Sequence, residues 1–175
     1  MKDRDELAAM IRDVPDFPKK GILFKDITTL LKEPAAFRVA MDLLAEPFVT
    51  DPIDVVVGME SRGFIFAAPL AYKLGAGFVP VRKLGRLPAE AVRVEYSLEY
   101  GSNILEMHRD AIVPGQRVLV VDDLLATGGT VLATIDLIEQ LGGIVVGIGF
   151  LVELTALNGR ANLQKYPKVV SILKY

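Results

Sequence analysis

The sequence predicts an α/β domain with a mainly parallel central sheet flanked by helices. Strand-sized apolar runs at 53–59, 118–121 and 144–152 read as strands buried on both faces. Between residues 35 and 152 such runs alternate with helical patterns of about 10–15 residues, the βαβ arrangement of a parallel sheet. Polar, glycine-bearing turns follow the strands at 53–59 and 118–121, and sheets of this kind bind ligands at the carboxyl ends of their strands.

With 175 residues the chain is long enough for one domain with a core, and 1–175 is read as one domain. Residues 1–34 and 83–101 look like additions to that core. A composition of 51% hydrophobic and 24% charged residues is ordinary for a soluble globular protein. The formal net charge of −2 offers no broad basic face for nucleic acid, so any anionic substrate must meet a local cluster of cations. The absence of cysteine excludes disulfides and thiolate chemistry and fits a reducing, cytoplasmic compartment. The charged N-terminus has no apolar signal core, and no apolar run is long enough to span a membrane.

In chain order, residues 3–13 predict a short helix with Leu7, Met10 and Ile11 on one side, stopped by Pro15. Residues 16–21 hold strong breakers and form a loop, and 22–27 are partly extended. Asp26 or Thr28 can cap the turn that follows. Pro34 suits the first turn of a helix running to about Phe48, with Phe37, Met41 and Leu44 on its apolar face. After the strand at 53–59, residues 64–74 read as a helix that Pro69 should bend and that Gly75 and Gly77 end. Residues 78–82 are extended, and Pro80 marks a position without a ladder donor, or an edge. The region 83–101 reads as a long connection of the lid type, with Arg82, Lys83, Arg86 and Arg93 in or beside it. A strand is expected near 104–107, a turn at Pro114-Gly115, a helix over 130–141 with Val131, Ile135 and Ile138 buried, and a C-cap at Gly142-Gly143. Residues 144–152 and 169–173 give the last strands, with Asn158-Gly159 in or beside a short helical connection.

Residues 118–130 organise the rest. Four apolar residues form a strand, Asp122 and Asp123 stand at its end, and Ala126, Thr127, Gly128, Gly129 and Thr130 turn into a helix. The unpaired N–H groups of such a turn and the helix dipole favour an anion, and glycine lets the backbone approach it. A plain strand-to-helix turn with Thr130 as N-cap is the simpler alternative, which the two aspartates make less attractive. Glu60-Ser61-Arg62-Gly63 also invites comparison with a nucleophile elbow, but its spacing is one residue too long and His108 would have to serve as base.

Residues 118–130 resemble the phosphoribosyl-pyrophosphate signature of the type I phosphoribosyltransferases over thirteen consecutive positions. Residues 16–27, 60–64, 78–83, 97–101 and 154–160 together resemble the adenine phosphoribosyltransferases, one branch of that family. The resemblance covers nearly the whole chain. It implies transfer of the 5-phosphoribosyl group of 5-phospho-α-D-ribose 1-diphosphate to N9 of adenine, giving AMP and diphosphate. It further implies Mg²⁺ carried by the phosphorylated substrate with no direct protein ligand, a homodimer, a base-binding hood at 1–34 and a flexible lid loop at 83–101.

By the same resemblance, Ala126, Thr127, Gly128, Gly129 and Thr130 hold the 5′-phosphate, and Asp122 and Asp123 bind the ribose hydroxyls. Glu60, Ser61 and Arg62 form the diphosphate loop, with a cis peptide expected at this turn. Arg82 and Lys83, joined by Arg86, neutralise the leaving group, reaching a neighbouring subunit's site. Glu99 is the acid/base residue at adenine N7, Tyr100 shapes the closed site, and Arg62 joins them in catalysis. Phe24 stacks on the base while the backbone of Leu23 and Lys25 reads its edge; Lys25 stands where many relatives carry arginine. Bland alternatives accompany these roles: core packing for Phe24, and surface charge for Lys19, Lys20 and the basic loop. Glu99 can equally be a surface residue of an edge strand, with Glu95 its nearest rival, and His108 is read as non-catalytic. Two other functions compete. One is transfer to another purine, against which the Phe24 and Glu99 segments argue. The other is a regulator that binds phosphoribosyl pyrophosphate without chemistry, for which 1–34 is too short a nucleic-acid domain.

Overall fold

The computed structural model describes residues 4–98 and 101–175. The chain divides into two units, Met1–Leu43 and Leu44–Tyr175.

In the first unit, helix α1 (Arg4–Met10) is shorter than the expected 3–13 helix. Strand β1 (Arg12–Pro15) follows it and pairs antiparallel with β2 (Leu23–Asp26). Charge explains the difference. The register sets Arg12 opposite Asp26 and Asp13 opposite Lys25, and both pairs are joined by ion pairs, the second at 2.6 Å. The connecting loop is closed by the Gly21 N–H donating to Asp16 Oδ1 at 2.7 Å. Asp26 also accepts the N–H and hydroxyl of Thr28, ahead of the short helix α2 (Thr28–Leu31). Those Thr28 bonds and the Arg12 guanidinium lower the Asp26 carboxyl to about 2. Helix α3 (Pro34–Ala45) spans the division and continues as a 3₁₀ turn through Glu46–Phe48.

In the second unit, β3 (Val55–Met59), α4 (Gly63–Leu74), β4 (Gly77–Lys83), β5 (Ala91–Leu98), β6 (Gly101–His108), β7 (Arg117–Leu125), α5 (Gly129–Gln140), β8 (Ile144–Glu153) and β9 (Val169–Lys174) follow in order. Among the described residues the sheet runs β5-β6-β4-β3-β7-β8-β9, parallel from β4 to β9 and antiparallel at β5 and β6. β3 and β7 are neighbours, yet the chain leaves β3 toward β4 and leaves β7 toward β8. The carboxyl ends of these two strands therefore flank the switch point where such sheets open a crevice.

Alternation along the strands sorts the core. Val57, Met59, Val118 and Val120 face one side, where Val131, Ile135 and Ile138 of α5 cover them. On the other side Gly58 permits close packing of α4: a Cβ there would stand 2.6 Å from Ala67 Cβ. Gly147 does the same beneath the Phe48 ring.

The 83–101 region departs most from expectation. Among its described residues Lys83 ends β4, 84–90 are irregular, and 91–98 form β5, paired with β6 from Ala91↔His108 to Leu98↔Gly101. Val92, Val94 and Tyr96 alternate with Arg93 and Glu95, and their apolar side chains pack on the core. β7 is also longer than the four-residue run, extending to Leu125, so Asp122 and Asp123 belong to the strand. Pro80 sits in β4 where only Arg82 and Lys83 pair with β6, so its missing N–H falls on a locally open edge.

Replacing Gly58 with alanine forces α4 away from β3. Chemical denaturation should show a loss of about 1–3 kcal/mol; a change below about 0.5 kcal/mol would show that the contact relaxes without cost.

Candidate active site at the β3 and β7 strand ends

The site is built from two strand–turn–helix junctions. After β3, Glu60 and Ser61 are joined by a cis peptide, and Arg62 caps α4. After β7, residues 126–128 turn into α5, whose N-cap is Gly128 at φ 90°. The helix thus starts on a left-handed glycine, with Thr130 inside its first turn rather than capping it. Only glycine adopts that conformation without cost, and it leaves the first N–H groups of α5 free of side-chain caps. The described geometry therefore has the features of an anion cradle.

Asp122 and Asp123 lie on β7 between these junctions. Asp123 is 4% exposed, and its Oδ2 stands 2.9 Å from Arg62 Nε, at ion-pair distance but without a hydrogen-bond donor in line. Asp122 Oδ1 accepts the Asp123 N–H at 2.9 Å. Gly63 opens α4 beside it; a Cβ there would come within 2.8 Å of Asp122 Oδ1. Burial raises the Asp123 carboxyl, against the pull of Arg62. Burial, with the adjacent Asp123 charge, raises Asp122 well above its ordinary range. One buried and one half-buried carboxylate, with a single guanidinium paired to Asp123, form a site short of positive charge and rich in hydroxyl acceptors.

The basic turn is attached to the same edge. The Glu60 carboxylate accepts Arg82 Nε and Nη2 at 3.3 Å and the Lys83 N–H at 3.1 Å. Burial pushes Glu60 up, but these bonds hold it below its ordinary value. Glu60 therefore faces the cations beside it through its side chain. Lys83 and Arg86 are exposed, as is Ser61.

Sequence reasoning passed over the support behind the phosphate-type turn. Gly159 lies so near that a Cβ would stand 2.1 Å from the Ala126 carbonyl oxygen. Asn162 Nδ2 donates to the Thr127 carbonyl at 3.1 Å, and Tyr96 accepts the Thr130 hydroxyl at 3.4 Å. Arg160 binds Glu153, the Val169 carbonyl and Ser171 Oγ, fixing the segment that carries Gly159. The Asn158-Gly159 pair was the one visible signal, and it reads as a turn.

Leu23, Phe24 and Lys25 are on β2 in the first unit, where the Phe24 ring meets Phe17 edge-on at 5.1 Å and Lys25 pairs with Asp13. Glu99 and Tyr100 lie outside the described residues, between β5 and β6. His108 is half-buried on β6, and Glu95 is exposed on β5.

A family model, the phosphoribosyl transferase domain, matches residues 26–174. The chain is 58% identical over 172 residues to the adenine phosphoribosyltransferase of Chloroflexus aurantiacus, covering 98% of this chain and 99% of that one. The crystal structure of the adenine phosphoribosyltransferase from Thermoanaerobacter pseudethanolicus superposes with a TM-score of 0.95 at 55% identity, covering 98% of this chain and 99% of that chain. That of Saccharomyces cerevisiae, complexed with an imino-altritol bisphosphate and adenine, gives 0.90 at 42%, covering 97% of each.

The raised carboxyls set a pH dependence. The folded state holds the pair's protons more tightly than the unfolded chain, so the pair detracts from stability as pH rises from the ordinary value of 3.8 through the raised values. Asp122→Asn should raise the thermal midpoint at pH 8 by about 2–4 °C, with the gain shrinking as pH approaches about 4. A lower midpoint at pH 8 would contradict the burial argument.

Proposed function

Because the chain belongs to the phosphoribosyltransferase family, we propose that it transfers the 5-phosphoribosyl group of 5-phospho-α-D-ribose 1-diphosphate to N9 of adenine in purine salvage. The observation that carries this reading is the convergence of the buried Asp123, the half-buried Asp122, one arginine and the heads of α4 and α5 at the β3–β7 switch point.

The turn of Ala126, Thr127, Gly128, Gly129 and Thr130 takes the 5′-phosphate, with the α5 dipole contributing about 0.3–1 kcal/mol per favourable charge. Asp122 and Asp123 accept the ribose hydroxyls. Their negative charge also favours the oxocarbenium-like character that develops at C1′ as its bond to diphosphate breaks and the bond to N9 forms. Arg62, with the Glu60-Ser61 peptide, Arg82 and Lys83, receives the diphosphate. Arg62 must then leave Asp123 in part, which frees that carboxylate for the sugar. Glu99 binds the proton at adenine N7, and Tyr100 helps close the site. Leu23, Phe24 and Lys25 are assigned the base: stacking by Phe24, and a backbone carbonyl that rejects hypoxanthine by facing its oxygen.

Mg²⁺ is the proposed cofactor. Among the described residues no group of three or more carboxylate or imidazole side chains converges to hold it. The ion is proposed to be carried by substrate phosphate and water rather than by a direct protein ligand, which leaves Asp122 and Asp123 to the ribose. When bound, the ion offsets charge on the diphosphate. A homodimer is proposed on the outer face of α4 and β4, where Ile65, Tyr72 and Phe78 are exposed, Tyr72 at 90%. No described helix is long and apolar enough to cross a membrane, and a cytoplasmic location is proposed.

Product formation from adenine, guanine, hypoxanthine and xanthine with phosphoribosyl pyrophosphate and Mg²⁺ tests the assignment. AMP should form, with kcat/KM for hypoxanthine lower by roughly 10⁴-fold. Tight binding of the sugar diphosphate without AMP would favour the regulator. Glu99→Ala should lower kcat much more than it weakens substrate binding; an unchanged kcat would remove Glu99 from the mechanism.

A further inference from the structure

We propose that Glu106 is a positioning residue that holds the basic turn at 82–86 ready for the leaving diphosphate. This rests on the reading of that turn as the diphosphate contact. Glu106 stands in mid-β6 at 2% exposure, between the buried apolar residues Leu105 and Met107. A carboxylate so deep needs a partner for each oxygen. Oε1 accepts Arg93 Nε at 2.7 Å from the residue directly across on β5, and Oε2 accepts the Gly85 N–H at 2.8 Å. One carboxylate thus ties β5 to the tip of the basic turn.

Gly85 sits at φ 75°. Around it the Leu84 N–H donates to the Ile104 carbonyl at 3.2 Å and the Arg86 N–H to the Lys83 carbonyl at 3.2 Å. At the opposite end Glu60 holds the Arg82 guanidinium and the Lys83 N–H, while Arg82 Nη1 donates to the Arg86 carbonyl at 2.9 Å. A turn carrying three cations is therefore pinned by two carboxylates, one at the site and one inside the fold. Pinning the backbone leaves the exposed Lys83 and Arg86 side chains to be ordered by the anion, and less backbone freedom is lost when it binds. Charge-assisted bonds are about twice as strong as neutral ones, which suits a restraint on a turn that repels itself.

The test compares Glu106→Ala, Glu106→Gln and Gly85→Ala with a Lys83→Ala/Arg86→Ala control. The readouts are KM for phosphoribosyl pyrophosphate, inhibition by inorganic diphosphate, KM for adenine and inhibition by AMP. Glu106→Ala should raise the two diphosphate-dependent constants roughly tenfold, the scale of one charge-assisted hydrogen bond, and leave adenine and AMP within about twofold. Glu106→Gln, which can still accept the Gly85 N–H, should be partly rescued. Should Glu106→Ala not fold, Gly85→Ala carries the same expectation, and Glu106→Gln should move the diphosphate-dependent constants in the same direction by a smaller factor. Equal weakening of AMP and diphosphate, or no change in either, overturns the role of Glu106. A silent Lys83→Ala/Arg86→Ala control overturns instead the reading of the turn.

Discussion

The burial of Asp123, with the half-buried Asp122 carboxylate beside it at the end of β7, is the constraint on which the rest of the site depends. Asp123 is packed into the fold with one cation beside it, and Asp122 has the head of α4 and a single backbone N–H. Such a pair opposes folding, because desolvation is not fully offset by one guanidinium. The surroundings meet it in two ways. Gly63 brings the positive end of a helix against Asp122, and Arg62 is placed by the same helix start. A sugar's hydroxyls and the positive charge of an oxocarbenium-like centre are proposed to satisfy what remains uncompensated, once Arg62 moves.

Close backbone approach is the second theme. Gly58 lets α4 sit down on β3, Gly63 brings its head to Asp122, and Gly159 lets the 153–163 segment support the turn at 126–128. The proposed phosphate turn is thus held from behind by backbone and by Asn162, leaving its front free. The basic turn follows the same pattern with carboxylates in place of glycines. Rigid support behind, with donors in front, is what recognition of a phosphorylated ligand requires.

Much of this was legible in the sequence. Buried parallel strands are continuous apolar runs, so β3, β7 and β8 were visible, as were the helices after them and the left-handed Gly75. The end of β7 was harder, since acids inside a strand violate propensity and were read as a strand terminus. β5 was missed because charged residues and Pro88 hid a period-two pattern in Val92, Val94 and Tyr96. The 12–15 strand was absorbed into a helix because its evidence is non-local: cross-strand charges that align only once 23–26 lie opposite. Among the site residues, those in compact motifs were readable. Gly159, Asn162 and Glu106 were not, for each acts on a backbone atom at least twenty residues away.

A crystal structure with AMP and diphosphate bound measures the central claim most directly. We expect both ribose hydroxyls within hydrogen-bond distance of Asp122 and Asp123, the 5′-phosphate on the N–H groups at 127–130, and Arg62 turned from Asp123 toward diphosphate. Hydroxyls facing solvent, with the Arg62–Asp123 ion pair unchanged, would contradict it.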